Sequence, residues 1–137
     1  MLRTAIKGFL ASCAFMALVA CTMVSAGTAA PSHTVNDGDE YTLRPGEQVA
    51  VSDAGTLRYE RLANDSRCAP DVQCVWAGDA EVTFVWMPGD GAKQSFSLHT
   101  GVEPRSQILG VRRLTLVSLA RGAAPAATVR VDPAGAP

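Results

Sequence analysis

The reactive chemistry in this chain is concentrated in one stretch, DSRCAPDVQCVWAGDA, residues 65–80, where five residues separate Cys68 from Cys74. A redox pair is usually C-x-x-C at a helix N-terminus, where the dipole lowers a thiol pKa. Here the interval is longer, it contains Pro70, and strand-like sequence follows. A structural zinc site takes four ligands, typically from two close pairs. The only further candidates of that kind are His33 and His99, both remote from the cysteines. A copper site would need a second ordered His and a Met a few residues past the Cys, and that Met is absent. A disulfide staple is the leading reading, with a metal clamp and a redox pair as its alternatives. Closing so short a ring contributes about 2 kcal/mol on the chain-entropy estimate. Asp65 can accept backbone N–H bonds in an Asx-turn or pair with Arg67. Trp76 is expected to pack beside the sulfurs, with a ligand-stacking platform as the second reading. Gly78 is expected to bend the chain into the strand that follows.

Two other pairs invite a catalytic reading. Ser97 and His99 share a strand face, but residues two apart on a strand lie about 6.6 Å apart, beyond the reach of direct proton transfer. Asp79 and Glu81 have the same spacing, near the carboxylate separations used in glycoside hydrolysis. A sugar cleft also needs aromatic subsites, and only 6% of the chain is aromatic. No phosphate-cradling Gly loop, G-x-S-x-G elbow or HExxH is present. No catalytic residue, metal or cofactor is therefore expected. Trp76 and His99 remain as possible binding residues.

The N-terminus has the pattern of an export signal. MLRTAIK carries Arg3 and Lys7, and an uncharged apolar run follows, too short to span a bilayer. It ends in Leu18-Val19-Ala20-Cys21, which resembles the lipobox of bacterial lipoproteins. The resemblance implies cleavage before Cys21 and acylation of its sulfur. LASC, ending at Cys13, leaves too short an apolar region after Lys7, while a cut after Ala26 or Ala30 would release a soluble secreted chain. Residues 1–20 are thus expected to be a signal peptide and residues 21–37 a lipid anchor and flexible tether. Coil statistics give that tether a reach of roughly 20 Å. Thr22, rather than Asp, after the lipidated cysteine implies an outer-membrane or cell-surface destination in the envelope. In that oxidising compartment the remaining even pair, Cys68 and Cys74, reads first as a disulfide.

Loss of Arg3 and Lys7 leaves 10 basic against 13 acidic residues. Nucleic acid is therefore an unsuitable partner, because phosphate neutralisation requires basic excess. Five arginines and no acid lie between Arg105 and Arg130. This stretch reads as solvated strand surface, with a docking face for an anionic partner as its alternative.

The positioning elements are strands. Period-two alternation places Tyr41 with Leu43, Val49 with Val51, Leu57 with Tyr59, and Val82 with Phe84 and Trp86. Phe96 with Leu98, Leu114 with Leu116, and Val129 with Val131 complete the set. Pro45-Gly46, Asp53-Ala54-Gly55 and Pro88-Gly89-Asp90-Gly91 supply turns, and Gly110 a bend or bulge. No window has helical periodicity. The expected fold is a small antiparallel β-sandwich of about seven strands, Ig-like or Greek-key in type, over residues 38–132, with residues 133–137 a disordered tail.

The stretch DSRCAPDVQCVWAGDA, with YTLRPGEQV before it and LTLV after it, resembles a group of small bacterial exported lipoproteins sharing DSRCP, a short interval and C-x-WAG. Ala69 departs from that pattern, with Pro70 one position later. The resemblance implies a secreted, disulfide-stapled β domain and no assigned activity. The function expected is a non-catalytic, lipid-anchored envelope domain acting as a structural or protein-binding module. The alternative is a small-ligand or metal (copper or zinc) binding periplasmic lipoprotein. The first predicts an exposed apolar patch or open edge strand, the second a concave pocket holding Trp76 or His99.

Overall fold

The computed structural model describes residues 30–31 and 33–135. The expected signal peptide, Cys21, most of the expected tether and the last two residues of the chain lie outside the described residues. Among the described residues nine strands form: β1 (Thr34–Val35), β2 (Glu40–Leu43), β3 (Gln48–Val51), β4 (Gly55–Asp65), β5 (Ala80–Pro88), β6 (Gln94–His99), β7 (Ser106–Leu109), β8 (Arg112–Leu119) and β9 (Ala127–Pro133). No helix occurs among the described residues. One sheet has the order β1-β3-β4-β5-β6 and the other β2-β9-β8-β7. They pack face to face as a sandwich, and one short-loop disulfide, Cys68–Cys74, closes a ring within the β4–β5 connection.

The alternation explains the layers. Successive side chains on a strand point to opposite faces, so each apolar series lines one sheet face and buries it against the other. Leu43, Leu57, Tyr59, Val82, Phe84, Leu98, Leu114, Leu116, Val129 and Val131 are all buried. Register fixes which of them meet: Leu57 lies opposite Trp86, Tyr59 opposite Phe84, and Phe84 opposite Phe96. The Tyr59–Phe84 and Phe84–Phe96 ring centroids are 5.5 and 5.9 Å apart, within the range of favourable aromatic pairs. The Tyr59 hydroxyl is buried without a hydrogen-bond partner among the described residues. Burial raises its pKa.

Two strands are additional to the seven expected. β7, SQIL, is joined to β8 by the two-residue turn Gly110-Val111, with Leu109 opposite Arg112. Gly110 has φ +64, the conformation a type II′ hairpin requires at its first turn position, so it makes a tight turn rather than a bulge. β1 lies inside the expected tether: Val35 is buried, and β1 pairs with β3 in parallel, the one departure from antiparallel pairing among the described residues. The ordered sandwich thus starts at Thr34 rather than residue 38.

Strand directions sort the connections between two ends. Residues 44–47, 66–79, 100–105 and 120–126 gather at one end; residues 36–39, 52–54, 89–93 and 110–111 gather at the other. The first end carries the cysteine loop.

Candidate functional site: the stapled β4–β5 loop

β4 and β5 extend beyond β3. The last β3 pairing is Gln48 with Arg58, whereas β4 and β5 remain paired down to Asp65 and Ala80. Register shifts between Tyr59 and Arg61 and between Leu62 and Asn64 mark bulges, which bend and twist such an arm. Residues 66–79 cap the arm, and the motif residues brace its base.

The staple has formed, with Cys68 and Cys74 Cα atoms 5.9 Å apart, inside the range a disulfide spans. Inward of it the two limbs continue as a short ladder. The Cys68 amide donates to the Ala77 carbonyl at 3.1 Å, and the Ser66 amide to the Asp79 carbonyl at 2.7 Å. The Ser66 hydroxyl accepts from the Asp79 amide at 3.2 Å. Gly78 has φ +72, and a Cβ there would stand 2.0 Å from the Ser66 carbonyl oxygen. The close approach of the limbs therefore requires glycine.

Each limb also ends in a carboxylate held by several hydrogen bonds. On the outgoing limb the Arg67 guanidinium donates to both Asp65 carboxylate oxygens, Nε at 2.8 Å and Nη2 at 2.6 Å. The Arg67 amide adds the Asx-turn bond at 3.1 Å. Arg67 then reaches the other sheet, donating to the carbonyls of Leu119 at 2.7 Å and Ala120 at 2.8 Å. This charge-assisted fork holds the Asp65 carboxyl below the usual carboxylate range. On the return limb, Asp79 Oδ1 accepts from the amides of Gly101 at 2.7 Å and Thr100 at 3.0 Å, and Oδ2 lies 2.6 Å from His99 Nδ1. Burial opposes ionisation of Asp79, but these donors outweigh it and its pKa is lowered. The Thr100 hydroxyl completes the corner by accepting from the Ala80 amide at 2.9 Å.

The outer part of the loop is different. Residues 69–77 are exposed throughout, and Val75 and Trp76 are 92% and 82% exposed. Trp76 therefore does not pack beside the disulfide, contrary to the expectation from sequence. The arm overhangs the core, and the disulfide lies too far out for the sandwich to cover it. Val72 adds a third exposed apolar side chain.

Trp76 stands on the outer loop while His99 serves its base, bonded to Asp79. A cavity of about 300 Å³ lies at the opposite end of the sandwich, lined by residues including Asp53, Trp86, Asp90, Leu109 and Val111. Neither Trp76 nor His99 lines it. Among the described residues no group of three or more His, Cys, Asp or Glu side chains is placed to hold a metal ion. The arginine-rich stretch is divided between the two ends. Arg112 pairs with Asp37 at 2.6 Å at the cavity end, Arg130 pairs with Asp132 at 2.9 Å, and Arg121 stands exposed at the loop end.

Sequence reasoning found the staple and the Asp65–Arg67 pair. It missed the Asp79–His99 pair and the reach of Arg67 to the second sheet, because those contacts join residues 20 and more apart. No family model matches the chain, and no curated protein or solved structure matches it either.

Proposed function

We propose that this chain is a non-catalytic, lipid-anchored domain of the bacterial cell envelope that works by contact, as a structural or protein-binding module. The observation that carries this reading is the contrast within one loop. A disulfide, the Asp65–Arg67 ion pair, the hydrogen-bonded Asp79 corner and a glycine-dependent ladder brace a base whose outer part offers Val72, Val75 and Trp76 to its surroundings. Rigid bracing lowers the entropy lost when such a tip is held against another surface. The likeness to the DSRCP lipoprotein group and the lipobox-like stretch ending at Cys21 support the envelope location.

Envelope fractionation, intact-mass analysis of Cys21, and photo-crosslinking in living cells test this reading. The expected result is an acylated chain in the membrane fraction, with more adducts from position 75 than from Arg58 on the strand surface. An unacylated chain in the cytoplasmic fraction, or equal adduct yields from the two positions, contradicts it.

A further inference from the structure

The outer loop has the composition and the placement of a membrane contact. We propose that Val72, Val75 and Trp76 seat at the headgroup level of the bilayer to which the same chain is tethered, giving the domain a second, orienting attachment. The proposal deepens the reading above and takes from it the acylation of Cys21.

The direction of the chain is the first argument. β1 runs parallel to β3, and β3 runs away from the end that carries the loop. The N-terminal end of β1 therefore points toward the loop's end of the sandwich. Reach is the second. Thr34 lies level with Ala50 and hence Thr56, about 30 Å along β4 from Asp65 at about 3.3 Å per residue. The 13 steps from Cys21 to Thr34 span up to about 45 Å when extended. Cys68 stands three residues, about 10 Å, beyond Asp65, so an anchored Cys21 lets the loop end face the bilayer when the tether is close to fully extended.

Chemistry is the third argument. Trp is favoured at the membrane–water interface, where its ring is buried and its N–H stays hydrated. A protruding tip with neighbouring valines matches a lipid surface, which has no fixed shape to complement. Arg61 and Arg121, exposed on the loop's half of the molecule, form no salt bridge among the described residues and are available to anionic headgroups. Asp71 is the single carboxylate on the outer loop, and it limits insertion to a shallow depth.

The test reconstitutes the full acylated chain in vesicles of phosphatidylethanolamine and phosphatidylglycerol, with and without brominated acyl chains. Trp86 is 3% exposed within the core and serves as the unquenched reference. The expected result is loss of most of the Trp76 emission on brominated vesicles. Trp76→Ser should abolish that loss without releasing the anchored protein, and Asp71→Asn should deepen the quenching. Emission from Trp76 that ignores bromine and stays open to iodide overturns the proposal. So does a Trp76 shielded from iodide in native envelopes but unquenched in protein-free brominated vesicles, which would identify a protein partner. Mass analysis of Cys21 separates the two readings. An acylated chain with unquenched Trp76 removes only the membrane contact. The unacylated Cys21→Ser chain should still show weak, Trp76-dependent quenching on the same vesicles, and none at all would count against the contact.

Discussion

Trp76 and Trp86 lie ten residues apart on one hairpin and meet opposite fates, one 82% and the other 3% exposed. Trp86 follows Val82 and Phe84 in strict alternation and is carried inward by the pleat. Trp76 follows a disulfide on an arm that has already passed the edge of the core. Its position is set by polar contacts at the loop base rather than by apolar burial. One tryptophan stabilises the fold, and the other is displayed by it. Their difference separates what holds this protein together from what it leaves exposed.

The largest effect expected from breaking that contrast is at the buried ring. Trp86→Ala removes it from between the sheets and should cost about 3–5 kcal/mol in denaturant unfolding. A loss below about 1 kcal/mol would place Trp86 outside the core.

Next comes the staple. Replacing both Cys68 and Cys74 by Ser opens the seven-residue ring and should lower stability by about 2 kcal/mol. It should also lower the fluorescence anisotropy of Trp76 while Trp86 is unchanged. Equal changes at both rings would mean that the loop and the sandwich unfold as one unit.

Acid should loosen the loop before the core. The folded pKa values of Asp65 and Asp79 lie below their unfolded values, so their stabilisation is complete above about pH 4 and is lost as the pH falls through the folded values. Hydrogen exchange corrected for intrinsic rates should therefore quicken at the Ser66, Thr100 and Gly101 amides below about pH 4, with Val82 still protected. Simultaneous loss at Val82 would contradict a separately braced base.

Trp76→Ser should have the smallest effect on folding, within about 0.5 kcal/mol of the parent, because an exposed ring leaves no cavity. A larger loss would mean that the indole supports the loop after all.

Most of the layer structure was legible because burial follows period two. Val82, Phe84 and Trp86 announce a strand, and Pro88 with Gly89 announces its turn. β7 escaped because Ser106 and Gln107 break the apolar alternation over only four residues. β1 escaped because two residues carry no period, and its pairing with β3 is a long-range event. At the loop, Cys68, Cys74 and the Asp65–Arg67 pair are local in sequence and could be read directly. The Asp79 corner with Thr100 and Gly101 could not, since it exists only once β5 and β6 are in register. Trp76 was misjudged for a related reason: proximity to a disulfide in sequence says nothing about whether the core extends beneath it.

Iodide quenching of the oxidised, full-length Cys21→Ser chain in solution tests the display of Trp76 most directly. Two tryptophan populations are expected, one quenched as freely as an indole in water and absent from Trp76→Ser, the other shielded. Two shielded tryptophans, or an open one that persists in Trp76→Ser, would contradict it.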